Sequence, residues 1–382
     1  MTSAGRDAAV FLIAKAYPPV VGGVESYSEL IARAYTSQGV TPTVLTSWDG
    51  RQGWHDLSYP EGTIRAFNVG MASQPVVFAR LIAACGRLRF GQKFDFIHAT
   101  TWRPALALSF WPWPQKKVLT VHGQEVLNFP AILKRGMIRV LSTFDLVQTV
   151  SQSTMRAAEG ALEGRAARGV WEVNFNGLSF PQEAAEFVRP ERSPDQPVRI
   201  LSFSRLARRK NFHGCLEALA NLRARGVTNF HYTIAGTGPL KQEIQDLIAT
   251  LNLGDWVTML GYVDDADITD LYRNADVFLH PQTATESQKD LEGFGLAIAD
   301  SISFGCAAVV GKDGGPSDFV LNEERGLVVD GYDVNMIAES LERVITDPKL
   351  RQRLGSQGRA WCLENLSWQR HTRQIMESLA RV

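Results

Sequence analysis

Short runs of apolar and β-branched residues alternate along the chain with stretches whose apolar positions recur at helical spacing. The first set is Val10 to Ala14, Thr43 to Thr46, Thr63 to Phe67, Asp95 to His98, Lys117 to Val121 and Asp145 to Val150. These runs have strand length, and the helical stretches between them supply crossovers, which predicts a parallel sheet wrapped by helices. The pattern then restarts with Val198 to Ser204, His231 to Ala235, Val257 to Leu260, Asp276 to His280, Ala307 to Val310 and Gly326 to Val329. Two doubly wound α/β domains in tandem are therefore expected, and 382 residues suit two such cores better than one.

The stretch Pro181 to Pro197 is rich in proline and charge and carries no periodicity, so a linker is placed at 183–197, between an N-terminal domain over 1–182 and a C-terminal domain over 198–365. The tail 366–382 reads as an amphipathic helix from Trp368 to Leu379, long enough beyond the last strand to pack on either domain, packing back on the first included.

Charge narrows the partners. Lysine plus arginine number 40 against 40 acidic residues, so no global field attracts nucleic acid, and any phosphate recognition must be local. Cys85, Cys215, Cys306 and Cys362 are far apart, with no C-x-x-C pair, which argues against a zinc site and a disulfide framework. The apolar run Ala8 to Ala14 leads into Lys15 and Pro18 and reads as a strand, not a signal peptide. No apolar stretch approaches the roughly 20 residues of a membrane span. A cytoplasmic location is expected.

Three motifs follow strands. After the first, Gly22 and Gly23 open a helix with apolar residues at Val24, Tyr27, Ile31 and Ala34. Paired glycines there let backbone N–H groups approach an anion, although such a turn also has a purely steric reading. After the first strand of the second domain comes Arg205-Leu206-Ala207-Arg208-Arg209-Lys210, where open α/β sheets bind ligands and where cations can neutralise a diphosphate. The third is Glu292-Gly293-Phe294-Gly295, with Asp300 about two turns into the helix that follows. A helix starting near Phe294 presents its first N–H groups to a ligand, and Glu292 can accept hydrogen bonds from sugar hydroxyls. Asp265-Ala266-Asp267 spells the D-x-D of metal–diphosphate sites, yet it precedes Ile268, Leu271 and Tyr272 at helical spacing, so Asp264 or Asp265 is expected to be an N-cap. Gly236-Thr237-Gly238-Pro239 is read as a strand-to-helix turn.

The combination of Gly22-Gly23, Arg205 with Lys210, Glu292-Gly293-Phe294-Gly295 and Gly314-Gly315-Pro316 resembles the retaining family-4 glycosyltransferases of the GT-B fold over essentially the whole chain. The resemblance implies two Rossmann-like domains facing a central cleft and a nucleotide-diphosphate sugar, of UDP or GDP type, as donor. It implies that Arg205 and Lys210 hold the departing diphosphate, that Glu292 contacts the donor sugar, and that His122 faces that sugar from the first domain. Gly22, Gly23, Gly293, Phe294 and Gly295 would approach sugar and phosphate through their backbone, and Asp300 would hold the ribose. The family has glutamate at that last position, about 1.5 Å longer. No metal or other cofactor is expected.

The acceptor is expected to be a glycan, a lipid-linked saccharide or a metabolite, with polysaccharide biosynthesis as the setting. His98, Trp102 and Arg103 are candidate acceptor-side residues. Basic positions at Arg80, Arg87, Arg89, Lys93, Arg135 and Arg139, with Trp111 and Trp113, suggest peripheral contact with the inner face of the membrane, against the plainer reading of solvated helix faces. Rival functions are a sugar-nucleotide epimerase or phosphorylase-like enzyme on the same fold, and a nucleotide-sugar-binding protein that has lost activity, the latter motivated by Asp300 alone.

Overall fold

The computed structural model describes residues 8–18, 20, 22–190, 192–193, 195–284 and 290–382. The chain divides into two compact units, one made of residues up to Gly177 together with Trp368–Val382, the other of Leu178–Ser367. Each unit is built on its own sheet.

In the first unit the strands are β1 (Ala9–Ile13), β2 (Thr41–Thr46), β3 (Gly53–Tyr59), β4 (Gly62–Asn68), β5 (Phe96–Ala99), β6 (Lys116–Val121), β7 (Leu146–Thr149) and β8 (Val170–Val173), in the spatial order β3-β4-β2-β1-β5-β6-β7-β8. All neighbours are parallel except the β3–β4 hairpin. The central strands are buried on both faces, which is why they read as continuous apolar runs. Strands β3 and β8 were absent from the sequence-based expectation. Both lie at sheet edges and expose part of their residues, so neither carries a continuous apolar run.

The second unit contains β9 (Val198–Phe203), β10 (Phe230–Ala235), β11 (Val257–Gly261), β12 (Val277–His280), β13 (Ala307–Gly311) and β14 (Leu327–Val329), all parallel, in the order β11-β10-β9-β12-β13-β14. The strand order reverses between β9 and β12, as it does between β1 and β5 in the first unit. Loops at the carboxyl ends of strands at such a reversal diverge and leave a crevice.

The segment expected to be an aperiodic linker contains a helix, Pro181–Glu186, and is tied to the second unit: Arg359 donates to the carbonyls of Ala184 and Phe187, and Arg189 to Ala275 at 2.7 Å. The helix Trp368–Arg381 packs on the helix Gly23–Ser37 within the first unit. A buried polar chain joins them. The Nδ1 of His371 meets the carbonyl of Phe175 at 2.9 Å and must donate there, because a carbonyl only accepts. Its Nε2 therefore accepts from Tyr27 Oη at 3.0 Å; Tyr27 then accepts from Thr120 at 2.8 Å, and Thr120 from His98 Nε2 at 2.8 Å. His98 Nδ1 ends the chain by accepting from Tyr35 Oη at 3.0 Å.

This network corrects the expectation for the acceptor side: His98 and Trp102 are fully buried, and the Trp102 indole donates to the Glu125 carbonyl. Trp111 donates to Ile82 and Trp113 stacks on Phe11, so both pack against their own unit. Asp265–Asp267 forms a 3-10 turn continued by the helix Ile268–Asn274; Asp264 stands at the N-cap position of the turn, as expected, although its side chain makes no capping hydrogen bond.

Candidate active site

The loop leaving β9 is shaped by backbone contacts. Leu206 N–H donates to Thr237 O at 2.9 Å, and a Cβ at Gly236 would sit 2.0 Å from Ser204 O, so only glycine lets the β10 turn approach this loop. Arg205 points outward, and among the described residues its guanidinium has no hydrogen bond or ion pair. Arg208 lies on the surface 3.7 Å from Glu243. The chain then turns inward through Arg208–Lys210 and adopts the left-handed conformation at Asn211, which an asparagine tolerates. Asn211 caps the helix Phe212–Ala224 and donates to Pro281 O and Gly331 O, fastening the loop to the ends of β12 and β14.

This fastening brings the cations onto one carboxylate. Lys210, 8% exposed, donates through Nζ to Glu292 Oε2. Arg209 Nε lies 3.5 Å from the same oxygen, with Arg209 Nη1 3.5 Å from Asp290. Glu292 is itself held from below. Gly315 N–H donates to Glu292 O at 2.8 Å, and a Cβ at Gly314, whose φ is +93°, would meet that carbonyl at 2.5 Å. The Gly314-Gly315-Pro316 motif thus seats Glu292 by close approach. Burial alone would raise the Glu292 carboxyl, but the Lys210 charge, with the adjacent His280 and Arg209, outweighs it and holds the group well below the usual carboxylate range.

Glycine at 295 is left-handed (φ +86°) and precedes the helix Leu296–Ser303, which begins two residues later than expected. Phe294 is buried against Phe319, and Gly293 lies between it and Glu292. Asp300, 3% exposed, accepts from Ser179 N–H at 2.8 Å, and burial pushes its carboxyl up to about 7. In the first unit, His122 follows β6; its Nε2 donates to Thr100 O at 2.9 Å, its amide donates to Glu125, and burial lowers its pKa. Gly22 precedes the helix Gly23–Ser37, and the Glu25 carboxylate folds back over it, so the first turn already faces an acid of its own.

The structure therefore brings Lys210, Glu292, Gly293, Phe294 and Gly295 together and leaves Arg205 at the exposed start of the same loop. One residue was missed. His280, the last residue of β12, is 2% exposed, and its Nε2 lies 3.8 Å from Glu292 Oε2 without a hydrogen-bond partner among the described residues. A histidine closing an apolar strand beside the cationic loop was the available signal.

Two α/β units, each with its own reversal of strand order, are the architecture of the GT-B fold, and comparisons with known proteins agree on that fold and family. The family model described as glycosyl transferases group 1 matches residues 183–361, and that described as glycosyltransferase family 4 matches residues 21–165. The chain belongs to the family-4 glycosyltransferases and is an enzyme of that type. It is 25% identical over 384 residues to the GDP-mannose-dependent alpha-(1-6)-phosphatidylinositol monomannoside mannosyltransferase of Mycolicibacterium smegmatis, covering 97% of this chain and 98% of that one. The protein of the same name in Mycobacterium tuberculosis is 26% identical, covering 94% of each. Among solved structures, sucrose-phosphate synthase from Thermosynechococcus elongatus (TM-score 0.76, 18% identity, 98% of both chains) and Anabaena HepE in complex with UDP and glucose (TM-score 0.74, 20% identity, 98% and 100%) share the fold.

Proposed function

We propose that the chain transfers a hexose from a nucleoside-diphosphate donor to an acceptor hydroxyl, with retention of anomeric configuration and without a metal ion. The observation that carries this reading is the convergence of Lys210 and Arg209 on Glu292 at the β9–β12 reversal. A diphosphate carries more negative charge than one carboxylate and competes with it for both cations. Glu292 is then released toward sugar hydroxyls. As the sugar–phosphate bond breaks, charge grows on the leaving oxygen, and Lys210, Arg209, the exposed Arg205 and the amides near Gly295 are preorganised to stabilise it. The acceptor hydroxyl attacks on the face the diphosphate leaves and gives its proton to the departing phosphate oxygen; attack on that face retains configuration. Asp300 serves the ribose by sharing its carboxylate with Ser179. His122 attends the sugar, and Gly22-Gly23 an anionic group; these three roles rest on the family resemblance.

The names of the mycobacterial relatives make GDP-mannose the first donor to test and a lipid-linked saccharide the first acceptor, with cytoplasmic, peripheral attachment through the basic helix Lys134–Thr143. Among the described residues no helix is long and apolar enough to cross a membrane. The test is a thermal-shift screen of GDP- and UDP-sugars in chelator, since a ligand bound only by the folded state raises the melting temperature. Nuclear magnetic resonance of the product then reads its anomeric configuration. No stabilisation by any nucleotide sugar, or transfer that requires added divalent metal, defeats the proposal. The engagement of Asp300 by Ser179 favours one rival, a protein that binds the donor without using it; binding with neither transfer nor hydrolysis is that rival's signature.

A further inference from the structure

Three nitrogen donors surround one oxygen of Glu292, and they differ in kind. Lys210 and Arg209 are cations on the loop after β9. His280 stands at the end of β12, stacked on Phe278, its Nε2 3.8 Å from the same oxygen. That gap is too wide for a hydrogen bond, and the nitrogen is buried with no other partner among the described residues. Burial, followed by the Lys210 charge, lowers the imidazole to about 4, so the ring is neutral at physiological pH and carries one N–H. A buried donor left unsatisfied costs free energy, and the nearest group able to accept from it is the ionised Glu292.

We propose that His280 is a positioning residue whose Nε2–H takes hold of the Glu292 carboxylate when Lys210 and Arg209 turn from it to the donor diphosphate. The inference rests on the transferase reading above. In the ligand-free arrangement the two cations draw Glu292 to their side. Once they are engaged by an anion, a carboxylate with no other donor would swing freely, and a misplaced group loses most of its value to a reaction that demands fixed geometry. The neutral imidazole supplies direction without a charge that would compete for the phosphates. It sits on a strand rather than a loop, so its own place is set by the sheet register of β12 against β9 and β13.

The experiment compares His280→Met, which fills the space without a donor, with His280→Gln, which keeps an N–H at similar reach. Methionine is expected to lower kcat by roughly 10–100-fold, the scale on which outer orienting partners act. Calorimetric affinity for the free nucleoside diphosphate stays at the wild-type value, because the cations that bind it are untouched. Glutamine is expected to restore most of kcat. Wild-type kcat in the methionine variant, or an equal fall in both, overturns the proposal. Should methionine prevent folding, the glutamine variant decides: kcat near wild type supports the role, and kcat as low as that of Glu292→Gln overturns it. If the wild-type protein itself transfers no sugar from any nucleotide-diphosphate donor, the transferase reading has failed first, and the role of His280 falls with it.

Discussion

Among single residues, Arg205 and Lys210, the first and last of the four cations of the basic loop, should behave differently when removed. Arg205→Ala removes an exposed, unpartnered guanidinium, so turnover should fall about 10²–10³-fold, as when one preorganised donor at a developing anion is lost, with unchanged thermal stability. Lys210→Ala should cost similar activity and also destabilise the second unit, because it strips a buried carboxylate of its closest counter-charge. Breaking a buried pair costs roughly 3–5 kcal/mol, and Arg209 beside Glu292 moderates it here. Steady-state kinetics and melting curves separate the two variants; equal melting temperatures would remove Lys210 from the buried pair. Asp300 adds a pH signature. Its carboxyl titrates near 7 in the fold and near 3.9 when unfolded, so the folded state binds the extra proton between these values, and the stability contributed by this group is lost as pH rises through about 7. Asp300→Asn should therefore stabilise the second unit above pH 7 relative to wild type, and the two unfolding free energies should converge toward pH 4. A constant difference across that range would place the proton elsewhere.

The secondary-structure elements differ in how plainly the sequence announces them. Twelve strands were legible because short β-branched, apolar runs recur between helical stretches, whereas β3 (Gly-Trp-His-Asp-Leu-Ser-Tyr) hides in a hairpin that is half solvent-facing. The Lys210–Glu292 neighbourhood was legible through motif order. His98, His280 and His371 were not, because a histidine's role is set by what lies across from it in space, and neither Thr120 nor Tyr27 is near His371 in sequence. The helix Lys134–Thr143 buries Met137, Ile138, Val140 and Leu141 and exposes Arg135 and Arg139, while Ile132 just before it is 90% exposed. Cations flanking an exposed apolar side chain suit an anionic bilayer surface, where each contributes about 1 kcal/mol. Co-sedimentation with anionic vesicles at low salt should be lost in an Arg135→Glu, Arg139→Glu double variant and at high salt. Equal recovery of wild type and double variant would leave the helix a solvated surface.

For the molecule as a whole, the two units respond to acid through different histidines. In the first, burial lowers His371 to about 4 and holds His98 well below its ordinary value. Between pH 6.5 and 4 the unfolded chain binds these protons and the folded one does not, so the stability they contribute is lost as pH falls through that window. Protonating His371 Nε2 also confronts the Tyr27 hydroxyl that donates to it and disrupts the chain to Thr120. Hydrogen exchange at pH 5 should show residues 8–177 and 368–382 losing protection relative to pH 7, and His371→Gln should lessen the difference. In the second unit, Asp300 opposes His280 over the same range and softens the response.

The closing helix of the first unit is made only after the whole of the second unit. Everything up to Gly177 emerges without His371, one of the two hydrogen-bond partners of Tyr27, and the whole of Leu178–Ser367 must be made before Trp368–Arg381 can arrive. During vectorial synthesis the second unit, contiguous in sequence, can complete its sheet while the first waits with an unsealed flank. The order of maturation is thus the reverse of the order of translation. A premature stop near Ser367 would leave a nascent enzyme with an intact second unit and a first unit dependent on chaperones, a defect that expression at low temperature would relieve only if the missing helix were supplied in trans.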